Sequence, residues 1–119
     1  IGVKTMIDLC GRPHLADGPN AAGLNALWKL ADSGLGVIKI SGFAKFSQTG
    51  FPFDDAQEHT HKVWNAFGPE RCIWASDWPY LRGTYRLDYG TLLKLTERWF
   101  TPAQLQAMMW DTPAKILGW

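Results

Sequence analysis

Apolar residues in this chain come alternately as short unbroken runs and as stripes at helical spacing, and that alternation predicts the order of its elements. Val3 to Leu9 is a short apolar run closed by Gly11 and Pro13, which fits a buried parallel strand better than a helix. Leu24, Leu27, Trp28 and Leu30 or Ala31 then recur at helical spacing, with Ser33-Gly34 as a stop. Val37 to Ile40 is a second strand ended by Ser41-Gly42. Phe43 to Pro52, rich in Gly, Ser, Thr and Phe, predicts a loop. In the next helix His59, Val63 and Phe67 fall four apart on one face, Asp54 or Asp55 is the cap, Glu58 and Lys62 form an exposed pair, and Gly68-Pro69 is the end. Cys72 to Ala75 is a third strand. Beyond a loop from Pro79 to Leu87, the residues Leu92, Leu95, Thr96 and Trp99 mark another helical stripe. Thr101-Pro102-Ala103-Gln104 spells a capping box with Pro in the first turn, and Thr112-Pro113 begins one more short helix.

Strand and helix alternating in this way predict a parallel sheet with right-handed crossovers. On this pattern alone, half of a barrel and a small open α/β sheet fit equally well. With 119 residues and 46% hydrophobic content the chain is long enough to bury a core. The formal charge of +1 is carried by dispersed Lys and Arg residues, which argues against nucleic acid as a partner. Cys10 and Cys72, the only two cysteines, make neither a metal spacing nor a disulfide framework, although both lie in strand-like contexts and could be neighbours in a sheet. A reduced, cytoplasmic setting is the default expectation. No apolar stretch approaches the roughly 18 residues of a spanning helix, so no membrane is expected either.

The run Arg71-Cys72-Ile73-Trp74-Ala75-Ser76-Asp77-Trp78-Pro79 ends an apolar strand in a carboxylate and stops it at once with a proline. In parallel barrels the C-terminal ends of the strands face the active site, so Asp77 is a candidate for catalysis. The same run resembles the W-G-S-D-W-P signature of the amidohydrolase-related hydrolases, a group that includes sugar-acid lactonases and 2-pyrone-4,6-dicarboxylate lactonases. Ile7-Asp8-Leu9-Cys10-Gly11-Arg12-Pro13 is similar to that family's I-D-H-x-G-R-P segment, and Val37-Ile38-Lys39-Ile40-Ser41-Gly42 to its V-K-L-S-G strand. Asp88-Tyr89-Gly90 and Trp110-Asp111-Thr112-Pro113-Ala114 stand where the family has D-Y-G and W-D-T-P-A. The resemblance decides for the barrel. Because a complete (β/α)8 barrel takes about 250 residues, it implies that residues 1–119 are the C-terminal part of one such domain, of about three strand-helix units plus terminal helices. It also implies that the missing N-terminal half, or a homo-oligomer partner, covers the open edges.

The resemblance gives Asp77 the role of general base, taking a proton from the attacking water and delivering it to the leaving group. The competing reading is an Asp that merely accepts backbone N–H bonds in the turn at Trp78-Pro79. Where family members bind a divalent metal such as zinc, the same carboxylate is a ligand, beside an H-x-H pair on the first strand and a His on a middle strand. Here Leu9 stands where the family has that His, and an isobutyl group has no lone pair to donate; metal dependence is therefore left open. His14 reads as a surface loop residue, and His59 and His61, two apart on a helix, point to different faces. Lys39, charged within an apolar strand, is expected to face the barrel interior for electrostatic stabilisation or to contact Asp77. Arg12, Arg82 and Arg86 lie on loops that follow strands, where guanidinium forks can bind the carboxylate of a small-molecule substrate. Tyr80, Tyr85, Phe43 and Phe46 could wall the same site, whereas Trp28, Trp64 and Trp99 belong to packing stripes.

The resulting expectation is a hydrolase that, when complete, attacks a lactone, amide or related carboxyl derivative of a small organic acid with water. The alternatives are a catalytically silent barrel scaffold or assembly fragment, and a decarboxylase on the same fold. The 119-residue chain alone is expected to be inactive.

Overall fold

The structure, a computed structural model, describes residues 3–18, 22–81 and 87–119. Three strands, β1 (Thr5–Ile7), β2 (Gly36–Ile40) and β3 (Cys72–Trp74), form one sheet in the order β1-β2-β3. Both pairings are parallel, with Ile7 opposite Ile38 and Lys39 opposite Ile73. Parallel neighbours need a crossover, and the helices supply it: α1 (Ala22–Ser33) joins β1 to β2, and α3 (Asp54–Phe67) joins β2 to β3. A single turn, α2 (Phe43–Phe46), follows β2 directly, and α4 (Tyr89–Trp99) follows β3.

Residues on β2 alternate strictly in burial. Gly36, Ile38 and Ile40 are buried, while Val37 and Lys39 are only half-buried. One face therefore packs on the helices, in a core that joins Ile38, Ile40 and Cys72 to Leu27, Ala31, Val63, Phe67 and Leu95. The opposite face carries Val37 and Lys39, and Ile73 lies in register with Lys39. In a closed barrel such a face lines the interior. The sheet edge is bare: Val3 is 65% and Met6 41% exposed.

At the N-terminal end of the strands Arg71 ties three elements together. Its Nε donates to Phe67 O (2.9 Å), its Nη1 to Gly36 O (3.3 Å) and its Nη2 to Ala31 O (2.8 Å), so one guanidinium satisfies carbonyls from α3, β2 and α1. α1 and α3 press closely on this strand start, since a Cβ on Gly36 would lie 2.6 Å from Leu30 Cγ and 3.1 Å from Phe67 Cε1.

Several expectations are corrected. The first strand is shorter than Val3 to Leu9, because Leu9–Gly11 forms a tight 3-10 turn with Leu9 and Cys10 at positive φ. Cys10 thus lies in that turn, not in the sheet; it and Cys72 are buried free thiols, and Cys10 Sγ rests 3.9 Å from Thr60 Oγ1. The Phe43 to Pro52 stretch is not all loop, as it opens with α2. Neither Asp54 nor Asp55 is the cap of α3. Phe53 holds that position at φ 61, and both acids sit in the first turn. Asp55 instead gathers the preceding loop, accepting from Gln48 N (2.6 Å), Thr49 Oγ1 (2.9 Å) and Ser47 Oγ. Burial pushes the Asp55 carboxyl up, but these bonds and one from Ala56 N outweigh it and hold it below the usual carboxylate range.

The capping box forms as expected at α5 (Pro102–Gln106), with Thr101 and Gln104 bonding each other's backbone. As expected, Thr112-Pro113 begins one more short helix, α6 (Thr112–Leu117), which joins α5 without a break through a π-helical turn (Ala107–Asp111) in which Asp111 keeps helical φ and ψ. No helix among the described residues is long and apolar enough to cross a membrane.

Candidate active site

The site is built where the strands end. Three segments leave the sheet there: Asp8-Leu9 after β1, Ser41-Gly42 after β2, and Ala75-Ser76-Asp77 after β3. Asp77 has φ 64, and the turn that follows it is closed without its carboxylate. Tyr80 N donates to Asp77 O (2.8 Å), and Trp78 N donates to Ser76 Oγ (3.2 Å). The capping duty that could have explained an Asp at this place therefore falls to Ser76.

Asp77 Oδ2 lies 2.8 Å from Lys45 Nζ, in a pair whose side chains are only 20% and 13% exposed. Among the described residues Oδ1 makes no hydrogen bond. Lys45 escaped the sequence analysis because a one-turn helix has no periodicity to read; its one local signal is Ser41-Gly42, which forces the chain to turn as it leaves β2. Gly42 stands at φ 75 at the head of α2, and Leu9 packs directly on it. Buried Phe43 and Phe46 flank Lys45; Phe43 packs 4.7 Å from the Trp99 ring and Phe46 5.7 Å from the His59 ring.

Tyr80, an expected wall residue, is brought to Asp77. Its hydroxyl is buried with no hydrogen-bond partner among the described residues. Burial pushes that phenol above its ordinary value, and the charges of Asp88 and Asp77 and the neighbouring Tyr89 push it the same way. Lys39 lies on the sheet face opposite the one that carries Ile38 and Ile40, and it pairs with Asp8 (2.8 Å), not with Asp77 as expected. The register explains this, since Asp8 follows Ile7 and so comes to lie opposite Lys39 on the same face. Arg12 is exposed on the turn after β1. Arg82, Tyr85 and Arg86 lie outside the described residues.

Each histidine has a local partner. His14 is exposed and sits 3.2 Å from Asp17. His59 and His61 point apart, their Nε2 atoms 2.9 Å from Cys10 O and Trp99 O. A carbonyl only accepts, so both rings carry the proton on Nε2. Burial holds His59 below its ordinary pKa and Lys62 adds to this, while the Cys10 bond opposes it. Burial likewise pushes both Cys10 and Cys72 up to about 12, which makes them inert as nucleophiles. A cavity of about 830 Å³ lined by Leu15, Leu24, Trp28 and Lys62 opens between α1 and α3 and includes neither Asp77 nor Lys45.

The described residues do not fit a divalent metal. They hold no cluster of three His, Cys, Asp or Glu side chains with suitable spacing, position 9 is Leu, and Asp77 Oδ2 already faces an ammonium.

Comparison with known proteins agrees with the fold. The sequence profile of the amidohydrolase family matches residues 2–119. The chain is 32% identical over 117 residues to 4-sulfomuconolactone hydrolase of Rhizobium radiobacter, covering 95% of this chain and 39% of that protein. It is 35% identical over 86 residues to D-galactarolactone isomerase of Agrobacterium fabrum, covering 70% of this chain and 28% of that one. Among solved structures, a protein from Pseudomonas putida assigned as a 2-pyrone-4,6-dicarboxylic acid hydrolase superposes with a TM-score of 0.84 at 26% identity, covering 98% of this chain and 44% of that one. A zinc-bound amidohydrolase from Burkholderia multivorans superposes at 0.76 and 27% identity, covering 95% and 43%. The chain thus spans about two fifths of the length of the first curated relative, and its sheet and helices match the C-terminal part of these barrels. With the profile match running from Gly2 to the last residue, the chain belongs to the amidohydrolase family and forms a C-terminal portion of its (β/α)8 barrel.

Proposed function

We propose that the complete protein hydrolyses a lactone of a small, carboxylated organic acid, with water as nucleophile and Asp77 as general base. The observation that carries this reading is a strand-end carboxylate that the local turn does not use and whose Oδ1 is free of hydrogen bonds among the described residues. Relatives named for lactone chemistry support the substrate class. In the reaction, Asp77 takes a proton from water as the water oxygen bonds to the lactone carbonyl carbon. The ring C–O bond then breaks, and Asp77 returns the proton to the departing oxygen. Tyr80 Oη, buried and without a hydrogen-bond partner among the described residues, can donate to an oxygen of the substrate. Arg12, Arg82 and Arg86 are the proposed carboxylate anchors, because a guanidinium fork meets a carboxylate with two parallel hydrogen bonds. Lys39 contributes as the Asp8 ion pair, a fixed dipole on the interior face. The two buried free thiols suit a reducing compartment.

The test is a pH-stat assay of the complete protein against lactones that include 4-sulfomuconolactone, 2-pyrone-4,6-dicarboxylate and galactarolactone. Stoichiometric acid release on at least one of them is expected. Conversion without acid release would identify an isomerase, carbon dioxide release a decarboxylase, and no conversion of any carboxyl derivative a silent scaffold.

A further inference from the structure

We propose that the Lys45 ammonium takes the cation position beside Asp77, so that this protein orients its strand-end carboxylate with a side chain and not with a metal ion. The inference deepens the hydrolase reading and rests on it for the chemistry. The placement of the charge can be tested by itself.

Three observations converge. The first is the pair itself, Nζ to Oδ2 at 2.8 Å with both side chains largely withdrawn from solvent, where charge attraction is stronger than on an open surface. The second is how firmly Lys45 is aimed. α2 is one turn long, yet it starts on Gly42 and is pinned by the buried rings of Phe43 and Phe46, so the ammonium is delivered by a rigid shelf. The third is Leu9. Its side chain, which cannot ligate a cation, packs on Gly42 and so forms part of that shelf. A divalent ion bound to Asp77 would lie about 2.0–2.2 Å from the carboxylate oxygen, and the ammonium already sits beside Oδ2. The ammonium thus takes the place beside Oδ2 that such an ion would need, and it would repel one bound nearby.

The arrangement divides the labour of the carboxylate. Oδ2 is anchored by Lys45, and Oδ1 is left to take the proton of water. As the water oxygen bonds to the acyl carbon and the ring C–O bond breaks, the proton moves from water to Oδ1 and on to the leaving oxygen. Lys45 keeps its own protons throughout, which makes it a positioning residue.

The experiment uses the complete protein as wild type, Lys45→Met, Lys45→Arg and Asp77→Asn. After exhaustive chelation, zinc chloride is titrated in and bound zinc is measured by calorimetry and elemental analysis. Zinc uptake is expected to be the same in the wild type and Asp77→Asn, and chelation is expected to leave kcat unchanged. Lys45→Met should lower kcat about a hundredfold with KM within about threefold, the pattern of a group that acts in the transition state. Lys45→Arg, which keeps the cation, should retain more than about ten times the kcat of the Met variant. Stoichiometric zinc in the wild type that is lost in Asp77→Asn would overturn the proposal, as would a Lys45→Met enzyme with wild-type kcat. If the Met variant does not fold, or if no lactone is hydrolysed and the functional reading itself falls, the zinc comparison still decides where the cation comes from.

Discussion

Gly42, at φ 75, adopts a backbone conformation that L side chains rarely take, and a Cβ there would meet Leu9 Cδ2 at 2.5 Å and Leu9 Cβ at 2.9 Å. Gly42→Ala is therefore expected to destabilise the complete protein by about 1–3 kcal/mol, read as a lowered Tm. Its kcat should fall as well, because the same glycine starts the helix that carries Lys45. His59 gives a second expectation. Burial lowers its pKa in the folded state from the ordinary 6.5, so as pH falls the unfolded chain takes up the proton first. Stability is then highest above the unfolded value and declines as pH drops through it. The Tm of the wild type should fall from about pH 7 to about pH 5.5 more steeply than that of His59→Gln; equal slopes would remove His59 from the account. At this scale the sequence was half legible. Asp77 could be found, since a carboxylate closing an apolar run and followed by Pro is a local pattern. Its partner could not, because Lys45 and Asp77 are 32 positions apart in the sequence and only the parallel register brings them together. Lys39, the more conspicuous lysine, is claimed by Asp8 for the same reason.

Elements with several turns or strict alternation were the readable ones. The stripe Leu92, Leu95, Thr96 and Trp99 is the buried face of α4, and Thr101 with Gln104 forms the capping box that its spelling promised. What failed was short or set by contacts distant in sequence. α2 is a single turn, the Leu9–Gly11 turn cuts β1 short, and Phe53 stands at the N-cap of α3 in a left-handed conformation while Asp55 bonds Ser47, Gln48 and Thr49. Arg71 belongs with these: nothing around it in the sequence reveals that it closes three carbonyls from three elements. Arg71→Met keeps much of the aliphatic packing but strands those carbonyls. It is expected to cost about 2–3 kcal/mol in chemical denaturation of the complete protein, with KM for substrate unchanged, since the guanidinium lies at the opposite end of the strands from Asp77. A loss below about 0.5 kcal/mol would show that water replaces it freely.

For the molecule as a whole, alternating strands and helices left a small open sheet and part of a barrel equally admissible, and only the family likeness separated them. The superposition on barrels about twice its length agrees with that likeness. Its physical signature is the half-buried face bearing Val37 and Lys39 and the bare edge with Val3 and Met6 exposed. Residues 1–119 expressed alone are accordingly expected to associate, because unpaired parallel edges and exposed apolar residues such as Val3 and Met6 invite pairing between chains. Sedimentation velocity checks this, and a well-folded monomer with cooperative unfolding would mean that the sheet needs no further strands. The central claim, that Asp77 is the base of a lactone hydrolase assembled across the whole barrel, is tested most directly by kcat/KM of the complete protein and its Asp77→Asn variant on a hydrolysed lactone. The amide keeps the shape of the carboxylate but cannot accept the proton of water. The account predicts a loss of about a thousandfold or more at unchanged Tm, and turnover by Asp77→Asn at the wild-type rate would contradict it.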